Sequence, residues 1–240
     1  KGVAGYLAPK PLAERKCLEV VISPTSERLQ RLEPFPAWDG KDFDRLPVLI
    51  KVKGQCTTDH ISPAGKWLRY RGHLDKISDN MFTAAQNVFT AQTGTASDQH
   101  DGQVKPIPQV ARHYHAERLG WAVIGDENYG EGSSREHAAM SPRYLGCRLV
   151  IAKSFARLHL TNLKKQGVLP CTFLNPSDCD KIQADDRISV HGLNTLAPGK
   201  PLEATLHHRD GSTEPIALAH SMTDEQIRWF QAGSALNLLQ

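Results

Sequence analysis

Trp121-Ala122-Val123-Ile124-Gly125-Asp126-Glu127-Asn128-Tyr129-Gly130-Glu131-Gly132-Ser133-Ser134-Arg135-Glu136-His137-Ala138-Ala139 is the stretch whose reading decides the fold. Four apolar residues read as a strand, the run to Gly132 as a tight glycine loop, and the residues from 133 as a helix reaching 145. A helix N-terminus presents unpaired N–H groups and partial positive charge, so it attracts anions. Arg135 adds a planar fork suited to a carboxylate. Two readings of Ser133 follow. It can open the helix through the Ser-x-x-Glu capping box that it forms with Glu136. Alternatively, its hydroxyl can serve as a base, with the alkoxide stabilised by amides and guanidinium, in a place built to hold a carboxylate and move a proton.

Outward from that stretch, strands at 148–152 and 168–173 alternate with a helix at 155–166, which Gly167 closes at the C′ position. This alternation indicates βαβ units with parallel pairing, and ligands of such sheets sit beyond the carboxyl ends of the strands. Before it, 48–52 reads as a strand and 108–119 as a helix closed by Gly120. The polar stretch from about 90 to 106 reads as a flexible loop. After it, 187–190, 202–206 and 215–218 read as strands, with Asp210-Gly211 as a hairpin signal. Thr223 and Gln226 form a capping box for a closing helix that carries Ile227, Trp229 and Phe230. The expected fold is α/β: a central parallel sheet, additional antiparallel strands and a C-terminal helix.

Residues 1–45 are rich in proline and turn formers. They read as an arm, with a short strand at 18–22 and with Phe35 and Trp38 as packing anchors; the domain proper is expected over 46–240. The chain opens on Lys1 without a signal peptide or presequence, as expected of a processed product or a piece of a longer polypeptide. Its 240 residues are 40% hydrophobic and 23% charged, and the net charge is +3. These values fit a globular protein, and no apolar run approaches the about 20 residues of a membrane span. So small a charge gives no reason to expect nucleic acid. The five cysteines are scattered without a Cys-x-x-Cys, so no metal site is signalled; Cys147 and Cys171, beside apolar runs, read as buried thiols.

Several separated motifs in one order resemble the C-terminal swivel domain of the aconitase family, of the mitochondrial type. They are Ser23-Pro24-Thr25-Ser26-Glu27-Arg28-Leu29-Gln30, Cys56-Thr57-Thr58-Asp59-His60-Ile61-Ser62, Arg71-Gly72-His73-Leu74-Asp75, Gly125 through Ala139, Lys153-Ser154-Phe155-Ala156-Arg157, Thr161-Asn162-Leu163-Lys164-Lys165-Gln166-Gly167 and Trp229-Phe230-Gln231-Ala232-Gly233-Ser234-Ala235-Leu236-Asn237. The resemblance implies a swivelling β/β/α fold and a hydro-lyase that interconverts citrate and isocitrate through cis-aconitate. It implies Ser133 as the base, with Ser134, Arg135 and Arg71 holding substrate carboxylate. Thr58, Asp59 and Ser62 would be the supporting loop.

It also implies a [4Fe-4S] cluster, bound with its cysteine ligands by N-terminal domains absent from this chain. The site is then completed by those domains of the same polypeptide, and the whole enzyme is a mitochondrial monomer. The chain departs from the family at 79–85 and in the loop to about 106. It also has Leu160 where the family has an acidic residue, and Cys147 where it has glycine. The loop departure leaves a paralogue acting on homoaconitate or 2-methylisocitrate in play; separately stand a second enzyme reading, an isopropylmalate isomerase small subunit, and a catalytically inactive paralogue. A non-catalytic reading, an RNA-binding module built on the basic residues between Lys153 and Lys165, stands beside them.

Overall fold

The computed structural model describes residues 20–239 together with Gly5 and Pro11. In chain order the first elements are β1 (Phe43–Lys51), α1 (Thr58–Ile61), α2 (Leu74–Ile77), β2 (Gln86–Asn87), β3 (Gln92–Thr93), β4 (Thr95–Ser97), β5 (Val104–Pro106) and α3 (Ile107–Ala116). The alternating unit follows as β6 (Trp121–Ile124), α4 (His137–Tyr144), β7 (Cys147–Ala152), α5 (Arg157–Lys165) and β8 (Leu169–Phe173). The chain then continues through α6 (Asp178–Lys181), β9 (Arg187–His191), β10 (Leu202–His207), β11 (Thr213–Ala219) and α7 (Asp224–Ala232).

β1, β6, β7 and β8 run parallel, with Val48 opposite Ala122, Val123 opposite Val150, and Val150 opposite Pro170. β9, β10 and β11 are antiparallel and close the sheet into a barrel in the order β1-β6-β7-β8-β11-β10-β9. The pleat sends successive residues to opposite faces. Ala122, Ile124, Leu149 and Ile151 point into the barrel with Leu169, Ile188, Val190, Leu206 and Leu218. Trp121, Val123, Val150 and Ala152 face outward into a second core, with Ile107, Val110, Tyr114, Ala138 and Leu145 from α3 and α4. The parallel strands are therefore apolar on both faces, as strands covered on both sides must be.

This arrangement places the loops after β1, β6 and β7 together at one end of the sheet. Isolated bridges stitch them, Thr57 to Glu131 and Tyr129 to Phe155. The Gly130 N–H donates to the Cys56 carbonyl at 2.8 Å, and the Tyr129 N–H to that of Ser154 at 3.0 Å. Asp126 joins the first two loops by accepting from the Gly54 N–H at 2.7 Å and the last by pairing with Lys153 at 2.9 Å.

Several expectations need correction in detail. The helix after the glycine loop begins at His137, not 133, and Ser133 forms no capping box: no side chain caps α4. The stretch expected as a flexible loop, 90–106, contains β3, which pairs with β2 just before it, and the antiparallel pair β4 with β5. The expected helix at 108–119 is α3; it stops at Ala116, and Arg118 with φ +59°, not Gly120, takes the left-handed turn after it. β1 starts at Phe43, inside the span read as an arm. Of the strand expected at 18–22, Leu18 and Glu19 lie outside the described residues; Val20–Ile22 is not a strand. Cys17 is also outside them. Phe35 and Trp38 do act as anchors. The Trp38 ring lies 5.5 Å from that of Phe230, and the Arg143 guanidinium sits 5.3 Å from the Phe35 ring while donating to the Pro36 carbonyl. Cys147 and Cys171 are buried thiols.

Candidate active site

The residues singled out in sequence come from three places: Thr58, Asp59 and Ser62 from α1 and its end, Arg71 from the 3-10 turn Gly65–Tyr70 and its cap, and Ser133, Ser134 and Arg135 from the loop before α4. The structure brings the first and third groups into direct contact. Thr58, 1% exposed, donates its hydroxyl to the Ser133 carbonyl at 3.1 Å and lies 3.5 Å from Ser133 Oγ. The Thr58 N–H donates to the Glu131 carbonyl at 2.9 Å. Gly132, at φ +107°, fits above it: a Cβ there would stand 3.3 Å from Thr58 Oγ1.

Arg135 is held through one nitrogen. Its Nη1 pairs with Asp59 Oδ1 at 2.5 Å and donates to the Ser62 carbonyl at 2.8 Å and, at 3.5 Å, to that of Thr58. Nε and Nη2 have no partner among the described residues, so part of the fork is free to take a carboxylate. Ser62 supports by its backbone alone: its buried hydroxyl turns to Asn80, at 3.4 Å from Oδ1. Arg71 is exposed, and its guanidinium makes no hydrogen bond among the described residues. Its carbonyl lies 3.0 Å from His137 Nε2, which ties it to the first turn of α4.

Ser133 and Ser134 are both exposed. They lie in a loop, so the N–H groups offered to an anion are not those of a helix turn. Among the described residues no acceptor takes up the N–H of Ser133, Ser134 or Arg135. Successive free amides make an anion-binding concavity whether or not they open a helix. Free amides, a guanidinium held through one nitrogen only and a second arginine without a side-chain hydrogen bond among the described residues make a surface of the chemistry that suits an anion.

Beneath the loop lies His159 of α5, 2% exposed, with neither ring nitrogen hydrogen-bonded. Burial pushes its pKa down to about 4, so it is neutral. Gly130, φ +82°, rests directly on that ring: a Cβ would fall 2.2 Å from Cδ2, so only glycine fits. Burial also lowers the pKa of His137. For Asp126, burial acts to raise the pKa, but the Gly54 N–H and Lys153 overcome it and the carboxyl is lowered.

Four supports escaped sequence reading: Glu131, through its bridge to Thr57; His137, through Arg71; His159, under Gly130; and Asn162, whose Nδ2 donates to the Ser134 carbonyl at 3.4 Å. The glycine pair Gly130 and Gly132 was the available signal, since each marks a close approach. Nothing local named the residue approached.

No group of three or more His, Cys, Asp or Glu side chains suited to a metal occurs among the described residues. No helix among them is long and apolar enough to cross a membrane.

The family described as "Aconitase C-terminal domain" matches residues 46–176. The chain is 54% identical over 230 residues to a protein named mitochondrial aconitate hydratase from Gracilaria gracilis, an alignment that covers 96% of this chain and 30% of the relative. It is 53% identical over 230 residues, with the same coverage, to the protein of that name from Saccharomyces cerevisiae. The chain thus spans about 30% of the length of these relatives. A solved 3-isopropylmalate dehydratase from Methanocaldococcus jannaschii shares the fold, with a TM-score of 0.52 at 21% identity, over 81% of this chain and 92% of that one.

Proposed function

Because the chain belongs to the aconitase C-terminal domain family, we propose that it is the C-terminal part of an aconitate hydratase, a hydro-lyase that interconverts citrate and isocitrate through cis-aconitate. In this reading residues 1–45 are the arm from the preceding domains and 46–240 the domain itself. The relatives' names support a mitochondrial location.

The observation that carries the reading is the exposed Ser133 loop, fastened to Thr58 and flanked by the half-free fork of Arg135. Arg71, Arg135 and the amides around Ser134 grip substrate carboxylates. Ser133, as alkoxide, takes the proton from the carbon next to a carboxylate. The electron pair of that C–H bond is delocalised into the carboxylate and then forms the C=C bond as hydroxide leaves the neighbouring carbon. Hydration runs the same sequence backwards, with Ser133 returning the proton.

The family's iron–sulfur cluster does not fit the described residues of this chain. Burial pushes the thiols of Cys56, Cys147 and Cys171 up to about 12, the reverse of what a thiolate ligand needs. We therefore place the cluster, and the acid for the departing hydroxyl, on domains outside this chain.

The test is Ser133→Ala in the full-length protein. Loss of a positioned base lowers kcat by about 100-fold or more, with the KM for citrate near that of the parent. Turnover within a few-fold of the parent would remove Ser133 from the role.

A further inference from the structure

Arg45 and Lys51 are six steps apart along β1 at about 3.3 Å each, so they lie roughly 20 Å apart, towards opposite ends of the strand. The Ser133 loops occupy one end. At the other, a cavity of about 490 Å³ is lined by Arg45, Gln99, Asp185, Arg187, His207 and Arg209, among others. None of the candidate active-site residues lines it.

Arg45 stands at φ +46°, a region disfavoured for any residue with a Cβ. It lies where the pairing of β1 with β9 shifts register, between Phe43 and Leu46. Bulges of this kind re-aim a side chain, and a strained non-glycine residue points to a use for it. The bulge is fixed by Ser189, whose Oγ accepts from the Arg45 N–H at 3.0 Å and donates to Asp44 Oδ1 at 3.0 Å. With its one proton committed to Asp44, Ser189 accepts from His207 Nε2 at 2.9 Å. The Nδ1 atom of His207 is then left buried without a partner.

The second guanidinium is also set in place. Gln99 Oε1 accepts from Arg187 Nε at 3.1 Å. Gln99 is itself anchored, donating from Nε2 to the Asp186 carbonyl at 3.2 Å and from its N–H to the Tyr114 hydroxyl at 2.9 Å. The carboxylates in the lining are already paired, Asp185 with Arg209 at 3.2 Å and Asp101 with Lys105 at 2.5 Å. Arg45 and Arg187 have no carboxylate partner among the described residues. Two guanidiniums without an ion pair among the described residues, that of Arg187 held by Gln99, line one cavity of small-molecule size and make a site for opposite charge.

We propose that this cavity is a second anion site, separate from the Ser133 cluster, that takes a small ligand carrying at least two negative charges on phosphate or carboxylate groups.

The test is calorimetric titration of the full-length protein at constant moderate salt, with pyrophosphate as the phosphate probe and malonate as the carboxylate probe. Saturable binding of either is expected, and the ratio of the two affinities names the oxyanion. The variant pair Arg45→Asn with Arg187→Gln lowers the affinity at least ten-fold, whereas Arg71→Gln leaves it unchanged. Asparagine tolerates the left-handed region, so Arg45→Asn alone folds with a thermal midpoint at or above that of the parent and still loses affinity several-fold. The proposal is overturned by absence of saturable binding, by unchanged affinity in Arg45→Asn and the double variant, or by loss confined to Arg71→Gln. A lower midpoint in Arg45→Asn also counts against it, because the strained conformation would then serve packing instead of a ligand.

Discussion

β6 and β10 belong to one barrel but live in different surroundings. Every residue of β6 is buried, since the barrel interior takes one face and the helical layer the other. β10 buries only alternate residues, Leu202, Ala204 and Leu206, and leaves Glu203 to solvent. The difference shows where the molecule is constrained. The loop carrying Ser133 grows from the strand with no free face, so its base is fixed on both sides. The antiparallel half keeps an outer face, and that half supplies the ionisable side chains Arg187, His207 and Arg209 to the second cavity.

Trp121 and Glu203 break or uphold this contrast with the largest effect. Trp121 is fully buried and donates its indole N–H to the Leu145 carbonyl at 2.7 Å. Trp121→Ala removes the packed volume and leaves that carbonyl unpaired, which destabilises by about 3–5 kcal/mol. Glu203→Ala, on the free face, stays within about 0.5 kcal/mol of the parent. Urea denaturation of both variants measures the two numbers, and a difference below about 1 kcal/mol would mean the two halves are equally constrained.

Two histidines sharpen the contrast through pH. His159, under the loop that leads to Ser133, is lowered by burial from 6.5 to about 4, so it stays neutral in the folded chain while an unfolded chain takes up a proton. Stability is therefore lost as pH falls from 6.5 towards 4, by about 3 kcal/mol in all. His208, in the antiparallel half, is raised by its hydrogen bond to Asp186. Its contribution is complete below 6.5 and disappears as pH rises through its elevated folded value. Thermal midpoints followed across pH should show His159→Gln flattening the acid limb and His208→Gln flattening the limb above 6.5. If either variant flattened the opposite limb, its assignment would be wrong.

The same division governs what could be read from sequence. β6, β7 and β8 were legible to within a residue or so, because strands covered on both faces are unbroken apolar runs between glycine turns. The end of α5 was legible because Gly167, φ +70°, is the residue a C′ position favours, and α7 because Thr223 and Gln226 make both bonds of their capping box. Phe43–Pro47 was not legible as strand, since what makes it one is β9, more than 140 residues away. The small pairs β2–β3 and β4–β5 are too polar to show a period. At the site, the residue types and their clustering in three loops were visible. The start of α4 was not, because Thr58 engages Ser133 from 75 positions earlier and its hydroxyl takes the carbonyl that a helix from 133 would have used.

That tether gives the smallest effect and the finest test, because Thr58 belongs to both environments: its methyl side is buried while its hydroxyl reaches an exposed loop. Thr58→Val keeps the shape and removes the hydroxyl's contacts with Ser133, the bond to its carbonyl above all. The freed carbonyl sits in an exposed segment and can turn to water, so the stability cost is about 1 kcal/mol. The loop, no longer held from below, spends less time with Ser133 correctly placed. A further barrier of about 1.4 kcal/mol would lower kcat ten-fold in the full-length protein. Thr58→Ser, which restores the hydroxyl, recovers most of that rate. If valine and serine variants turned over equally, the fixed base of the loop, not this bond, would be what positions Ser133.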